Sequence, residues 1–157
     1  MNTSVLTGAA TLRVAQAGET HQRLTDYTEQ LAWPLVVQGD AVWLPAHLGI
    51  VGVAMPAGLA GEVNTVVRQL RPAVPVISIP GRPIRWVFLV NAPDEGGQGR
   101  FPAPVEILAG PQRIPLPPTV IDAGPVRWVT RPGSSAYLAE IADVLMAVRR
   151  VTGLRTP

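Results

Sequence analysis

Chemistry in this 157-residue chain has few carriers: eleven Asp and Glu, two His, thirteen basic residues that are all arginine, and no cysteine. A metal site or an acid/base pair needs carboxylates or imidazoles that converge, usually at strand ends or on one helix face. The acids here lack that pattern. Most fall in predicted helices or loops, and Glu106 alone lies inside a predicted strand. His21 and His47 are each unaccompanied and read as surface or loop residues. Ser134-Ser135 has no neighbouring His or Lys and no nucleophile elbow, so it reads as a helix cap. Gly96-Gly97-Gln98-Gly99 lacks the preceding strand and the following Lys-Ser/Thr of a phosphate loop. Without cysteine there are no disulfides, no thiolate metal ligands and no thiol nucleophile. Neither a metal site nor a cofactor is expected from these residues.

The arginines are the more informative set. Arg82, Arg85, Arg113 and Arg127 lie in or beside predicted strands, where a half-buried guanidinium needs a carboxylate or an anion as partner. They are the candidate nucleic-acid or phosphate-binding residues, with surface ion pairs as the plainer alternative. The net charge of +2 is too weak to be a nucleic-acid footprint by itself, so the positions of the arginines matter more than their sum. Trp33, Trp43, Trp86 and Trp128 sit at strand-like positions, where core packing is the default; only exposed rings would offer base-stacking platforms.

These side chains are positioned by alternating apolar runs. Leu24, Tyr27 and Leu31 give helical spacing over Glu19 to Ala32, stopped by Trp33-Pro34. Leu35 to Val37 and Ala41 to Leu44 flank Gln38-Gly39-Asp40, a hairpin signal. Ile50 to Met55 is continuously apolar, as in a strand covered on both faces. Leu59, Val63, Val66, Val67 and Leu70 form the stripe of an amphipathic helix closed by Arg71-Pro72, completing a strand-helix-strand unit with Pro75 to Ile79. Gly81-Arg82-Pro83 turns that strand into Ile84 to Val90. Asn91 to Pro104 is a Gly- and Pro-rich loop. Val105 to Leu108, Gln112 to Leu116 and Val126 to Thr130 are further strands. Tyr137, Leu138, Ile141, Val144, Leu145 and Val148 mark a last helix, with Ser134 or Ser135 at its start and Arg149-Arg150 at its end.

With 47% hydrophobic and 15% charged residues the chain can bury a real core, and its length suits one domain. The expectation is an α+β (α/β) single domain: a loose tail over residues 1–18, a mixed sheet flanked by about three helices over 19–151, and a short tail over 152–157. The longest apolar run, Leu48 to Gly61, is interrupted by glycine and proline and falls short of the roughly 20 residues that span a bilayer. No secretory signal is visible, and a cytoplasmic location without membrane attachment is expected.

The order of these segments, from Leu31 to Pro132, resembles the N-terminal domain of bifunctional DNA primase/polymerases of the archaeo-eukaryotic primase type, especially divergent bacterial forms. Ala32-Trp33-Pro34-Leu35 is similar to that family's Gly-Trp-Pro-Val strand after its opening helix. Ile79-Pro80-Gly81-Arg82-Pro83-Ile84-Arg85 with Trp86-Val87-Phe88 has the length of its Thr-Pro-Ser-Gly-Gly-x-His segment and following aromatic strand. Pro117-Pro118-Thr119 with Gly124, Arg127 and Trp128 resembles its Pro-Pro-Ser loop and later Trp-bearing strand.

The departures from that pattern govern what the resemblance implies. Active members carry hydrophobic-Asp-hydrophobic-Asp on one strand, and those carboxylates hold the divalent metals of nucleotidyl transfer. The matching strand here, Val51 to Pro56, contains no acid. The family's phosphate-contacting histidine falls on Arg85, and its third acid on Glu106, the one possible residual acid. The implied function is a catalytically degenerate primase/polymerase-like domain that binds nucleic acid, a nucleotide or a protein partner. One alternative is an active enzyme using Mg or Mn, in which Asp40, Glu62 or Asp122 joins Glu106. Another is a structural protein-protein interaction module, as in a homodimer.

Overall fold

The computed structural model describes residues 33–47, 49–71, 74–92, 101–133 and 138–153. The expected tail over 1–18, the helix over Glu19 to Ala32 and its neighbour His21 lie outside the described residues, as do Gly96-Gly97-Gln98-Gly99, Ser134-Ser135 and Tyr137. The described residues form ten strands and two helices. Strands β1 (Val36–Gln38) and β2 (Ala41–Pro45) make the expected hairpin, with Gln38 opposite Ala41 and Gly39-Asp40 between them. Gly39 takes a φ of 59°, a conformation that favours glycine in such a two-residue turn.

Strand β3 (Ile50–Pro56) runs straight into helix α1 (Ala57–Leu70), because Pro56 has no N–H to continue a ladder and its fixed φ suits a helix start. After β4 (Val76–Ile79), the turn through Arg82 leads into β5 (Arg85–Asn91). Then come β6 (Glu106–Leu108), β7 (Arg113–Leu116), the short β8 (Val120–Ile121) and β9 (Gly124–Pro125), β10 (Arg127–Thr130) and helix α2 (Ile141–Thr152).

The five-stranded sheet has the order β10-β4-β5-β3-β6, and a second sheet the order β1-β2-β7. All pairings between named strands are antiparallel; the parallel component of the expected mixed sheet is confined to one bridge, Asn91 to Glu140. The strand-helix-strand unit β3-α1-β4 is present, but β5 inserts between its two strands.

Alternation along β3 and β5 explains the layers. Val51, Val53 and Met55, with Phe88 and Val90, pack against Ala60, Val63 and Val67 of α1 and Val144, Ala147 and Val148 of α2. The other face, including Ile50, Ala54, Val87 and Leu89, packs against Val42, Leu44, Ile114 and Leu116 of the second sheet. Both faces are covered, which is why these strands read as unbroken apolar runs. Thr119, 1% exposed, fastens the β7–β8 connection to β2: its Oγ1 accepts the Val42 N–H at 2.7 Å and donates to the Val42 carbonyl at 3.0 Å.

Two expectations are corrected. Helix α2 begins only at Ile141, so neither Ser134 nor Ser135 is its cap; Glu140 holds that position without a side-chain cap bond. The preceding residues are occupied elsewhere, since the Leu138 carbonyl accepts from the Asn91 side-chain amide and the Ala139 carbonyl from the Asn91 backbone N–H. Trp33 is in the core, and Trp86 and Trp128 pack partly buried on its two halves. Trp43 departs from core packing: Val42 and Leu44 point inward, so Trp43 faces outward, half-buried, opposite Val36 and Pro115.

Candidate functional site

Strand β3 is the floor of the candidate site. Residues of one parity on β3 face the second sheet, and at its end these are Ala54 and Pro56. Across the ladder on one side Pro56 opposes Arg85, and on the other Ala54 opposes Glu106. Arg85 and Glu106 therefore stand on the same face, two strand spacings apart, roughly 10 Å. Both side chains are long enough to meet, and the methyl of Ala54 leaves the path open. The Arg85 Nη2 donates to Glu106 Oε2 at 2.6 Å, forming a charge-assisted pair that crosses β3. It is open to solvent, with the two side chains 38% and 54% exposed.

This pair lies at the end of the five-stranded sheet where other positive groups collect. Arg82 is exposed in the β4–β5 turn, and Arg127, also exposed, begins β10 opposite Ser78. The first residue of α1, Ala57, donates its N–H to the Ile84 carbonyl, which brings the helix's amino end here. No acid occupies that first turn. Helix α2 starts beside Asn91, at the opposite end of β5, and runs antiparallel to α1: Arg71 at the end of α1 meets Asp143 in the first turn of α2 at 3.4 Å. Its last turn, which carries Arg149 and Arg150, lies away from that contact.

Of the four arginines singled out in the sequence, three share this end and one does not. Arg85 faces the second sheet, whereas Arg127 faces the helices, so they share an end rather than a face. Arg113 opposes Pro45 in the second sheet and is exposed. It adjoins the β6–β7 turn, where Ala46 bonds Gln112 and Gly110, toward the Asn91 end. Arg113 therefore drops out of the group. Arg149 and Arg150, half-buried and exposed respectively, stand in the last turn of α2 as the sequence places them, as favourable charge at a helix end.

The carboxylates are dispersed. Asp40 sits in the β1–β2 turn, Glu62 on the exposed side of α1 and Asp122 in the β8–β9 turn. Among the described residues no three His, Cys, Asp or Glu side chains group as metal ligands. His47 is exposed. No described helix is long and apolar enough to cross a membrane. No family model matches the chain, and comparison with curated proteins and with solved structures likewise gives no match.

Proposed function

We propose that this chain is a primase/polymerase-like domain that acts by binding the phosphate groups of a nucleic-acid strand or nucleotide rather than by transferring nucleotides. One arrangement carries the reading: the Arg85–Glu106 pair over a β3 floor made of Ala54 and Pro56. Metal-assisted phosphoryl transfer needs several carboxylates to hold divalent ions against the phosphates. Here the facing positions of β3 carry a methyl and a pyrrolidine ring, and the remaining acid is already neutralised by a cation. The same end presents Arg82 and Arg127 without a carboxylate partner among the described residues. Guanidinium groups of this kind suit phosphate oxygens, which accept paired N–H donors.

Two measurements test the proposal. Manganese-dependent primer extension by the full chain is expected to incorporate no nucleotide. A gel shift with single-stranded DNA is expected to give a complex at low salt that weakens steeply as salt rises. Incorporation that Glu106→Ala abolishes would refute the binding-only reading. No shift at low salt, with either DNA or a nucleoside triphosphate, would refute phosphate binding and favour a protein partner.

A further inference from the structure

We infer that Glu106 is an internal competitor for the phosphate site, occupying the Arg85 guanidinium until an anionic ligand displaces it. The inference rests on the phosphate-binding reading and adds its regulation. Arg85 is the fixed member of the pair: β5 is the middle strand of its sheet, and Arg85 is in register with Ile79 on one side and Pro56 on the other. Glu106 is the displaceable member. It begins a three-residue strand at the sheet's edge, and β6 is paired with β3 alone. The contact between them is one bond, Nη2 to Oε2, which leaves the other guanidinium donors of Arg85 outside this pair.

Exposure makes the exchange possible. Both partners are more than a third open to solvent, so the pair is screened and weak, and a phosphate can reach Arg85 without unfolding anything. A phosphate at Arg85 would sit beside the Glu106 carboxylate and be repelled by it. Ligand binding and the Arg85–Glu106 pair therefore oppose each other: the carboxylate disfavours an anion at the free donors of Arg85, and a bound anion drives the carboxylate away. Neutralising Glu106 removes both the competitor and the repulsion, whereas a contact that merely staples β6 to the sheet would give no gain in affinity when lost.

The test is a double-mutant cycle on the full chain, read with two probes: labelled single-stranded DNA and inorganic triphosphate. Glu106→Gln keeps shape and removes charge, and is expected to tighten binding of both probes about three- to tenfold at low salt. Arg85→Ala should weaken binding, and adding Glu106→Gln to Arg85→Ala should restore none of it. Tightening of DNA alone would place the competition at a strand, and tightening of both at any phosphate. If wild type binds in a salt-dependent way but Glu106→Gln binds no tighter, the competitor role is refuted while phosphate binding stands. If Glu106→Gln lowers both the urea midpoint and the affinity, the pair is a staple and the inference is overturned. If neither wild type nor Glu106→Gln binds either probe, the inference falls together with the phosphate-binding reading.

Discussion

At Gly52 one absent methyl group leaves room for Val87 of the neighbouring strand and for Ile114 of the second sheet. A Cβ there would lie 2.6 Å from Val87 Cγ1 and 2.9 Å from Ile114 Cδ1. Ile114 can swing its terminal methyl aside, but Val87 is β-branched, fully buried and held in β5, so it has little room to yield. Gly52→Ala is therefore expected to destabilise the fold by about 1–3 kcal/mol, the usual cost of overpacking a filled core, measured as a lower urea midpoint at unchanged slope. The sequence shows a glycine inside an apolar strand, a known mark of close approach, but not what approaches. The same limit applies to Arg85 and Glu106. Each is recognisable as a chemistry-bearing residue in a strand, yet their meeting depends on β5 and β6 both pairing with β3, which no local pattern encodes.

Among the elements, those whose periodicity extends over several residues were legible and the short ones were not. The apolar run of β3, the stripe of α1 and the hairpin around Gly39 all appear where the sequence puts them, because burial on two faces, on one stripe or beside a turn leaves a distinct pattern. The β8–β9 hairpin has two residues per strand, too few to alternate, and it was not foreseen. The contribution of each element follows its buried apolar surface rather than its charges. Phe88 is fully buried beneath the helix pair, so Phe88→Ala is expected to cost about 3–5 kcal/mol. Arg71 joins α1 to α2 through Asp143, but the Arg71 side chain is 52% exposed. Arg71→Ala should therefore cost no more than about 1 kcal/mol. Urea unfolding of the two variants side by side checks the contrast, and equal losses would show that the helix pair is held by its ion pair.

For the molecule as a whole, the described arginines divide between the two ends of the five-stranded sheet, with Arg68, Arg71, Arg113 and Arg131 toward the Asn91 end. Arg82, Arg85 and Arg127 share the other end, and Arg149 and Arg150 lie in the last turn of α2, away from the Arg71–Asp143 contact. Exposed large apolar side chains are spread over several elements: Val37 in β1, Leu70 at the end of α1, Ile84 just before β5, Val120 in β8, Val129 in β10 and Met146 on α2. Charge is thus the better candidate for what this surface recognises. If a DNA strand lies across the basic end, each arginine that touches a phosphate adds about 0.7 to the salt slope of binding. Replacing Arg149 and Arg150 together by alanine should then lower the slope by roughly 1.4 and weaken binding at low salt, without moving the urea midpoint beyond the few tenths of a kcal/mol typical of surface sites. Arg68→Ala combined with Arg113→Ala is the matched control, because it removes the same two charges from the opposite end and should leave the slope unchanged. Equal effects of the two changes would mean that DNA responds to total charge alone, and that the convergence of arginines at the start of α1 selects nothing.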